Sequence, residues 1–169
     1  MKTIPHRIIP LSRTHLDACR TIVADSEPWK TLGSGIDFAP ALTKSRSYLR
    51  AYVCIRNARV AGFVLFSPHP VFAQGGYIRA IGVAPDMRRS GIGKTMLTFA
   101  ETMIARGAPN VYLCVSSFNR GGQAFYRGLG YARVGKLHAL LKDGMTEYIY
   151  WKRLKPGITM KDRKGMRLS

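Results

Sequence analysis

Two kinds of hydrophobic pattern alternate along this chain. Short apolar runs rich in Val, Ile, Phe and Tyr predict β-strands, whereas apolar side chains spaced three and four positions apart predict amphipathic helices. Strands are predicted over 6–11, 51–55, 60–66, 77–83, 111–115, 131–137 and 145–151. Helices are predicted over about 12–24, 42–50 and 91–106, and in the stretch after position 119. The strand–helix–strand order from 77 to 115 predicts a parallel pair at the centre of the sheet.

Turn-forming residues separate these elements. Arg56–Arg59 predicts a tight hairpin turn, and Asp143 followed by Gly144 predicts another between the last two strands. The stretch Ser67–Gly76 contains two prolines and two glycines and predicts a loop. Gly82 falls inside the fourth strand, where a glycine marks a bulge or a close backbone approach, with plain packing as the alternative.

Length and composition favour one globular domain. The chain has 169 residues, of which 46% are hydrophobic, and we expect a domain over 4–154 followed by a basic, flexible tail over 155–169. No apolar run approaches the ~18 residues of a membrane helix. Three cysteines, an odd number without metal-ligand spacing, favour buried thiols in a reducing compartment. We therefore expect a cytoplasmic protein with no membrane association and no metal site.

The charge balance indicates an anionic partner. The net charge is +18, from 27 basic and 9 acidic side chains. Nucleic acid would satisfy this charge, and so would a phosphate-bearing cofactor. The basic residues are spread along the chain, and no aromatic side chains alternate with those of the tail, as binding of a single strand would require. The sequence therefore permits nucleic acid as a partner without favouring it.

One stretch joins the fourth strand to the third helix through glycine. It contains Arg88, Arg89, Gly91, Gly93 and Lys94. The first amides of a helix lack intrahelical partners, and with the positive end of the helix dipole they favour binding of a phosphate. A Walker P-loop would need glycine at 88, and a dinucleotide-binding fingerprint would need glycine at 96, which is methionine. The pattern that remains is Arg-x-x-Gly-x-Gly.

This hexapeptide resembles the acetyl-coenzyme A signature of the GCN5-related N-acetyltransferase (GNAT) superfamily. A second stretch resembles the later motif of that family: Asn119, the pair Phe125-Tyr126, and then Gly130 before an aromatic residue. The order and spacing of the two motifs also match. The resemblance implies an α/β fold with a mixed sheet of about seven strands, splayed between strands 4 and 5 and flanked by about four helices.

The resemblance also implies a binding site for acetyl-CoA. The expected cofactor contacts are Ile81, Gly82, Val83, Arg88, Arg89, Ser90, Gly91, Ile92, Gly93, Lys94, Thr95, Asn119 and Tyr126. Tyr126 stands where the family keeps a general acid for the departing thiolate, and the alternative is a tyrosine packed in the core. Asn119 would bind the pantetheine arm, and the alternative is a helix cap. Backbone N–H groups of the splayed strand, Val83 first, would hold the oxyanion.

The general base is the least determined part of the prediction. Many GNAT enzymes carry a glutamate on the fourth strand, but Tyr77–Ala80 contains no carboxylate. Glu147 on the last strand is our candidate, with a solvated strand face as the alternative. Other carboxylates on the acceptor-side loops (Asp25, Glu27 and Asp37), a water relay and His138 also stay open. Near the second helix, Glu27, Trp29 and Phe38 are the expected acceptor contacts, with core packing as the alternative for the two rings.

We therefore expect an N-acetyltransferase that moves an acetyl group from acetyl-CoA to a primary amine by direct attack in a ternary complex. The acceptor is either a protein or peptide amine or a small-molecule amine. The alternative is a basic GNAT-like module that binds nucleic acid or an acidic protein without catalysis. The sequence leaves open whether the protein is a monomer or a homodimer.

Overall fold

The computed structural model describes residues 6–43 and 48–155. Its strands are β1 (Arg7–Pro10), β2 (Arg50–Arg56), β3 (Arg59–Phe72), β4 (Gly75–Val83), β5 (Asn110–Ser116), β6 (Ala132–His138) and β7 (Thr146–Arg153). Its helices are α1 (Leu16–Ala24), α2 (Trp29–Leu32), α3 (Ala39–Leu42), α4 (Ile92–Ile104) and α5 (Arg120–Gly128), with 3₁₀ turns at Arg13–His15 and Pro85–Met87. One seven-stranded sheet has the order β1-β2-β3-β4-β5-β7-β6, which confirms the predicted mixed sheet with flanking helices.

Two apolar cores cover the two faces of the sheet. The helix α4 lies on one face, where Met96 and Leu97 are at most 1% exposed. The helix α1 lies on the other face and buries Cys19 and Ile22. Burying an aliphatic side chain of this size stabilises the fold by about 1.5–3 kcal/mol, so both layers hold the sheet in place. We refer to the two sides as the α4 face and the α1 face.

The parallel pair at the centre of the sheet separates after four residues. β4 pairs with β5 over Gly75–Ile78 and Asn110–Leu113. Arg79 then forms a bulge, because the residues that flank it in β4 pair with adjacent residues of β3. From this point β4 follows β3 and β5 follows β7, so a gap opens between 79–83 of β4 and 114–116 of β5. We call this gap the cleft.

Gly82 does not form the bulge, which lies three residues earlier. A Cβ atom at Gly82 would come within 2.6 Å of the Phe63 ring and 3.0 Å of Ile22. The glycine therefore permits close packing of β3 and α1 on the α1 face. Of the sequence-based interpretations of Gly82, plain packing describes the observed contacts and the bulge is wrong.

The predicted loop over 67–76 is also wrong. β3 continues to Phe72 and turns directly into β4 at Gly75, through Ala73 and Gln74 at φ of 41° and 57°. The two prolines fall where the β3–β4 register is irregular between Ser67 and Phe72, a place where a missing N–H is tolerated. The prolines therefore interrupt the pairing without ending the strand.

The helix predicted over 42–50 is displaced. The helical turn α3 ends at Leu42, β2 begins at Arg50 opposite Phe66, and 44–47 lie outside the described residues. Pairing with β3 draws position 50 into the sheet, which local pattern does not reveal. A further turn, α2, forms where the sequence indicated a break, and Gly33 ends it at φ 63°.

The two predicted hairpin turns are confirmed. Asn57 and Ala58 adopt φ of 50° and 58° between β2 and β3, and Gly144 adopts φ of 76° between β6 and β7. The predicted tail lies almost wholly outside the described residues and stays a prediction. Within 6–43 and 48–155, no helix has the length and apolar character needed to cross a bilayer.

Candidate active site

The beginning of α4 is open to solvent. Gly91 is its N-cap residue at φ 84°, no side chain caps the helix, and the first helical bond runs from the Thr95 N–H to the Gly91 oxygen at 3.0 Å. Among the described residues, the N–H groups of Ile92, Gly93 and Lys94 have no hydrogen-bond partner. A Cβ atom at Gly91 would meet no atom within 4 Å. This helix start is therefore an accessible anion site.

Arg88 contacts the protein itself. Its Nη2 donates to Ser26 Oγ at 2.8 Å and to the Asp25 carbonyl at 3.2 Å, and its Nε donates to the Val83 carbonyl at 3.3 Å. The guanidinium thus joins the end of α1 to the end of β4. These contacts give Arg88 a positioning role between α1, β4 and the loop before α4.

The remaining polar side chains of the motif differ in how far they are engaged. Ser90 Oγ donates to the Met87 carbonyl at 2.6 Å, and Thr95 Oγ1 donates to the Gly91 carbonyl at 3.2 Å. Arg89, at φ 59°, and Lys94 are exposed and form no ion pair with any residue of the described chain. Arg89 and Lys94 are therefore the cations available to an anion at this helix start.

The amides of β4 alternate between β3 and the cleft. The Ala84 N–H donates to the Ala61 oxygen on β3 at 2.9 Å. Because successive N–H groups of a strand point to opposite edges, those of Val83 and Ile81 point toward the cleft and that of Gly82 points toward β3. The expected cofactor contacts at Ile81 and Val83 thus have amides at the cleft edge, whereas the Gly82 backbone pairs within the sheet.

The helix α5 packs beside the start of α4. Its N-cap residue Asn119 accepts a hydrogen bond from the Gly122 N–H through Oδ1 at 2.9 Å, so the cap alternative describes the observed contact. The Phe125 ring packs against Gly93, where a Cβ atom would lie 3.3 Å from its Cζ. These contacts fix the start of α5 next to the open turn of α4.

Tyr126 lies in the core on the α4 face. It is 8% exposed, and its ring is 5.1 Å from that of Phe125, 5.5 Å from that of Tyr131 and 6.5 Å from that of Tyr150. Its hydroxyl bonds to no other described residue. Burial raises the pKa of Tyr126, so the phenol keeps its proton at neutral pH.

Glu147 is buried on β7 beside the end of β5, which borders the cleft. It is 3% exposed, so the reading as a solvated strand face is wrong. It lies opposite Ser116 in the β5–β7 pair, and Glu147 Oε1 and Ser116 Oγ both lack a hydrogen-bond partner among the residues described. Burial raises the pKa of Glu147, and the Ser116 hydroxyl offsets part of this rise although the two groups do not form a well-aligned hydrogen bond.

Two further side chains accompany Glu147 on the α1 face. Cys114 precedes Ser116 by two positions on β5, and Tyr77 lies on β4 where the strands still pair. Burial raises the pKa of Tyr77, and Cys114 and Glu147 add to the rise. Burial also raises the pKa of Cys114, with Glu147 as a further cause. Sequence reasoning missed Tyr77 and Cys114, although the period-two alternation of β5 would have placed Cys114 and Ser116 on one face.

The expected acceptor contacts have partners within the chain. The rings of Trp29 and Phe38 pack on Phe63 at 6.0 and 5.1 Å. The Glu27 carboxylate accepts hydrogen bonds from the Thr31 N–H at 3.3 Å and the Thr31 hydroxyl at 2.9 Å. Phe38 also borders a cavity of about 280 Å³ between α1 and the segment 34–38. The two rings therefore serve packing, and Phe38 additionally reaches a surface cavity.

The described part of the chain contains no cluster of potential metal ligands. No group of three or more His, Cys, Asp and Glu side chains is placed there to hold an ion.

Comparison with protein families gives one match. The sequence profile of the acetyltransferase (GNAT) family matches residues 14–131, which include both glycine-containing motifs. Comparison with curated protein sequences gives no match.

Solved structures share the fold at low sequence identity. The ribosomal-protein-S18-alanine N-acetyltransferase of Escherichia coli superposes with a TM-score of 0.71 at 19% identity, covering 89% of this chain and 95% of that one. Ard1 of Thermoplasma volcanium gives 0.73 at 19% identity over 89% and 98%. A provisionally named streptothricin acetyltransferase of Bacillus anthracis, solved in complex with acetyl coenzyme A, gives 0.70 at 15% identity over 89% and 99%.

Proposed function

Because this chain belongs to the acetyltransferase (GNAT) family and is an acetyl-CoA-dependent N-acetyltransferase, we propose that a primary amine attacks bound acetyl-CoA directly, in a ternary complex. The observation that carries the proposal is the open first turn of α4. The N–H groups of Ile92, Gly93 and Lys94 there have no hydrogen-bond partner among the described residues, and the side chains of Arg89 and Lys94 are exposed. The oxygens of a diphosphate would accept hydrogen bonds from these free N–H groups, in the segment that connects β4 to α4.

In this proposal the diphosphate of acetyl-CoA binds the segment from Arg88 to Thr95. The amides of Ile92, Gly93 and Lys94 donate to it, and Gly91 leaves room for its approach. Ser90 contributes through its backbone, because its hydroxyl already donates to the Met87 carbonyl. The Thr95 N–H and hydroxyl both donate to the Gly91 carbonyl, so Thr95 supports the site by closing the first turn of α4. Arg88 acts by holding the loop.

The pantetheine arm enters the cleft. The Ile81 amide and carbonyl, which β4 directs away from β3, would pair with the arm in place of a neighbouring strand, and Val83 lies next along the same edge. Gly82 keeps β4 close to β3 and α1. The Val83 N–H is the donor that we assign to the oxyanion, since a fixed backbone amide stabilises developing charge without reorganising.

Two side chains would move protons. Glu147 takes the proton of the attacking amine, and its raised pKa makes it a stronger base than an exposed carboxylate. The amine nitrogen forms the new C–N bond as the C–S bond breaks. Tyr126 then donates its proton to the coenzyme thiolate and recovers one from solvent. Its burial keeps it protonated before that step. Asn119 supports this arrangement by fixing the start of α5.

The acceptor is a protein or peptide amine or a small-molecule amine. The E. coli and B. anthracis proteins named above represent these two classes by name. For this chain we propose Glu27, Trp29 and Phe38 as the acceptor side of the site. Of these, Phe38 borders a cavity.

The test compares acetyl-CoA with acetyl-pantetheine, which lacks the diphosphate. Release of thiol is followed with a panel of amines, using the parent protein and the Arg89→Glu and Lys94→Glu variants. We expect the KM for acetyl-CoA to rise by about tenfold in each variant, while turnover of acetyl-pantetheine is unchanged. Equal loss with both donors would contradict the assignment of the α4 start to the diphosphate.

A further inference from the structure

The outer edge of β6 ends the sheet. No described strand pairs with it on the side away from β7, so the backbone N–H and C=O groups of alternate residues face solvent on either side of a bulge at Val134. Apart from Gly135, which is half-buried, every residue of β6 is exposed. A free strand edge of this length is a template for pairing with another extended chain.

Apolar side chains cluster along this edge. Val134 is 55% exposed and Leu137 is 37% exposed on β6, and Leu140 and Leu141 follow at 51% and 58% in the turn to β7. These are four of the six large apolar side chains that are exposed in the described chain. An exposed apolar patch of this kind indicates an interaction surface.

An arginine pocket lies beside the same edge. A cavity of about 330 Å³ is lined by Ser117, Arg120, Gln123, Arg127, Arg133 and Tyr148. The Arg133 guanidinium stacks 4.6 Å above the Tyr148 ring, which holds it at the mouth. The three ion pairs of the described residues lie elsewhere, so no carboxylate neutralises these arginines.

The pocket is separate from the proposed acetyl-CoA site. On α5, Phe125 faces Gly93 and the start of α4. Arg120, Gln123 and Arg127 follow one another at helical spacing on a different stripe of α5, toward β6 and β7. The pocket and the β6 edge therefore form one surface on the far side of α5, which we call the basic edge.

The charge and shape of the basic edge favour one of three possible binding partners. A second copy of this chain, paired edge to edge, would bring Arg133 and Lys136 against their own counterparts, and like charges on paired strands destabilise the pair. A nucleic-acid strand would favour exposed aromatic rings, whereas the Tyr148 ring is covered by Arg133 and the exposed side chains are aliphatic. An extended peptide that alternates acidic and apolar residues matches the free edge, the aliphatic patch and the arginines together.

We propose that β6 is the docking edge for an extended acidic segment of a partner protein. The segment adds to the sheet as an eighth strand, covers Val134 and Leu137 with apolar side chains, and places carboxylates among Arg120, Arg127 and Arg133. Main-chain pairing supplies affinity in this mode, and the pockets supply specificity.

The probe is a fluorescein-labelled peptide of alternating Glu and Val with blocked ends, long enough to span β6. Fluorescence polarisation measures its binding to the full chain. We expect binding that weakens as salt rises, and a loss of at least about tenfold in the double variant Arg127→Glu, Arg133→Glu. The matched control is Arg13→Glu, Arg106→Glu, which changes the net charge equally at exposed positions away from β6 and should bind within about twofold of the parent.

Two further measurements separate strand addition from simple charge attraction. A peptide of the same charge with proline in place of the central Val loses a main-chain donor and should bind about tenfold more weakly. Hydrogen exchange of the β6 amides should slow when the peptide is bound. Thermal melting checks that each variant is folded.

The proposal is overturned by equal binding of the two peptides, by equal weakening in both double variants, or by no binding at all. It is also overturned if a single-stranded RNA of matched charge binds more tightly than the peptide at the same arginines. Sedimentation that reveals a dimer dissociated by the charge reversals at 127 and 133 would assign the edge to a second copy instead.

Discussion

In the described part of the chain, buried polar groups have hydrogen-bond partners at the beginning of β5 but lack them at its end. At its beginning, Asn110 is buried and accepts hydrogen bonds from Trp151 Nε1 at 3.0 Å and Arg153 Nη1 at 3.4 Å. At its end, Ser116 and Glu147 are buried as deeply, and Ser116 Oγ and Glu147 Oε1 have no partner among the described residues.

Two buried or partly buried carboxylates, Glu101 and Glu147, show the same contrast between satisfied and unsatisfied polar groups. Glu101 on α4 accepts from Lys152 Nζ at 2.9 and 3.0 Å and from the Tyr131 hydroxyl at 2.8 Å. Glu147 forms no ion pair with any described residue. Leaving a buried polar group unsatisfied costs about 1–3 kcal/mol, so folding alone favours the arrangement at Glu101. The unsatisfied end of β5 coincides with the cleft, where a substrate can supply the missing partner.

The largest expected effect belongs to Glu147. Glu147→Gln keeps the shape of the side chain and removes the base, and we expect kcat/KM to fall by about 10²–10⁴-fold while acetyl-CoA still binds. Glu101→Gln is the matched control, because it makes the same chemical change at the satisfied carboxylate. Steady-state kinetics on both variants should show the loss at 147 alone, and comparable losses at both positions would remove the distinction between them.

A pH dependence should accompany the activity of Glu147. Its pKa is raised above the ordinary 4.5, so the folded protein keeps this proton at pH values where the unfolded chain has lost it. Stability should therefore fall as pH rises from about 4.5 to the raised pKa, and turnover should fall as pH drops through that same pKa. Denaturation and rate profiles of the parent against Glu147→Gln measure both. Identical stability profiles in the two proteins would show that burial does not shift this group.

Tyr126→Phe probes the proposed acid on the opposite face of the sheet. We expect turnover to fall by about 10²-fold with the Kd of acetyl-CoA nearly unchanged, because only the proton is removed. The melting temperature should stay close to that of the parent, since the hydroxyl bonds to no described residue. Binding by calorimetry and single-turnover kinetics separate the two effects. Unaltered rates in a chemistry-limited step would leave Tyr126 with its packing role alone.

A substitution at Glu101, where the hydrogen bonds are satisfied, should lower the stability of the fold. Glu101→Gln weakens the partly buried pair with Lys152, and we expect a loss of about 1–2 kcal/mol in the free energy of unfolding. Urea denaturation measures it, with Asp17→Gln as the surface control because the Arg20–Asp17 pair is exposed. A neutral result at 101 would mean that these hydrogen bonds add little.

The smallest effect is expected at the start of α5, the capped counterpart of the open α4 start. Asn119→Ala removes the bond to the Gly122 N–H and should cost about 1 kcal/mol, whereas Asn119→Asp keeps an acceptor and most of the stability. Thermal or chemical denaturation compares the two. If Asn119→Asp keeps stability but weakens acetyl-CoA binding, the Asn119 side chain also contacts the cofactor.

The sequence predicted the features that depend on neighbouring residues. Strand patterns, the turns at 56–59 and 143–144, and the glycine-marked start of α4 follow from local preferences, and the structure has them. The burial of Glu147 follows from pairing with a strand thirty residues away in the chain. The sequence pattern around Glu147 fits a solvated strand equally well.

Long-range contacts likewise explain the errors. The bulge lies at Arg79, where β4 stops pairing with β5 and continues along β3, whereas the glycine at position 82 permits close packing. Arg88 belongs to the phosphate motif by spacing, yet Ser26 and the Asp25 carbonyl, some sixty positions earlier, engage its guanidinium. Motif spacing indicates which loop binds a ligand, and tertiary contacts decide which side chains in that loop are free to do so.

The central claim is that the first turn of α4 receives the diphosphate of acetyl-CoA. Nuclear magnetic resonance of the ¹⁵N-labelled protein, titrated with coenzyme A and separately with pantetheine, tests it at the amides themselves. We predict large shifts of the Ile92, Gly93 and Lys94 resonances with coenzyme A and only small shifts there with pantetheine. If those three resonances stay unmoved when coenzyme A is saturating, the diphosphate binds elsewhere and the claim is contradicted.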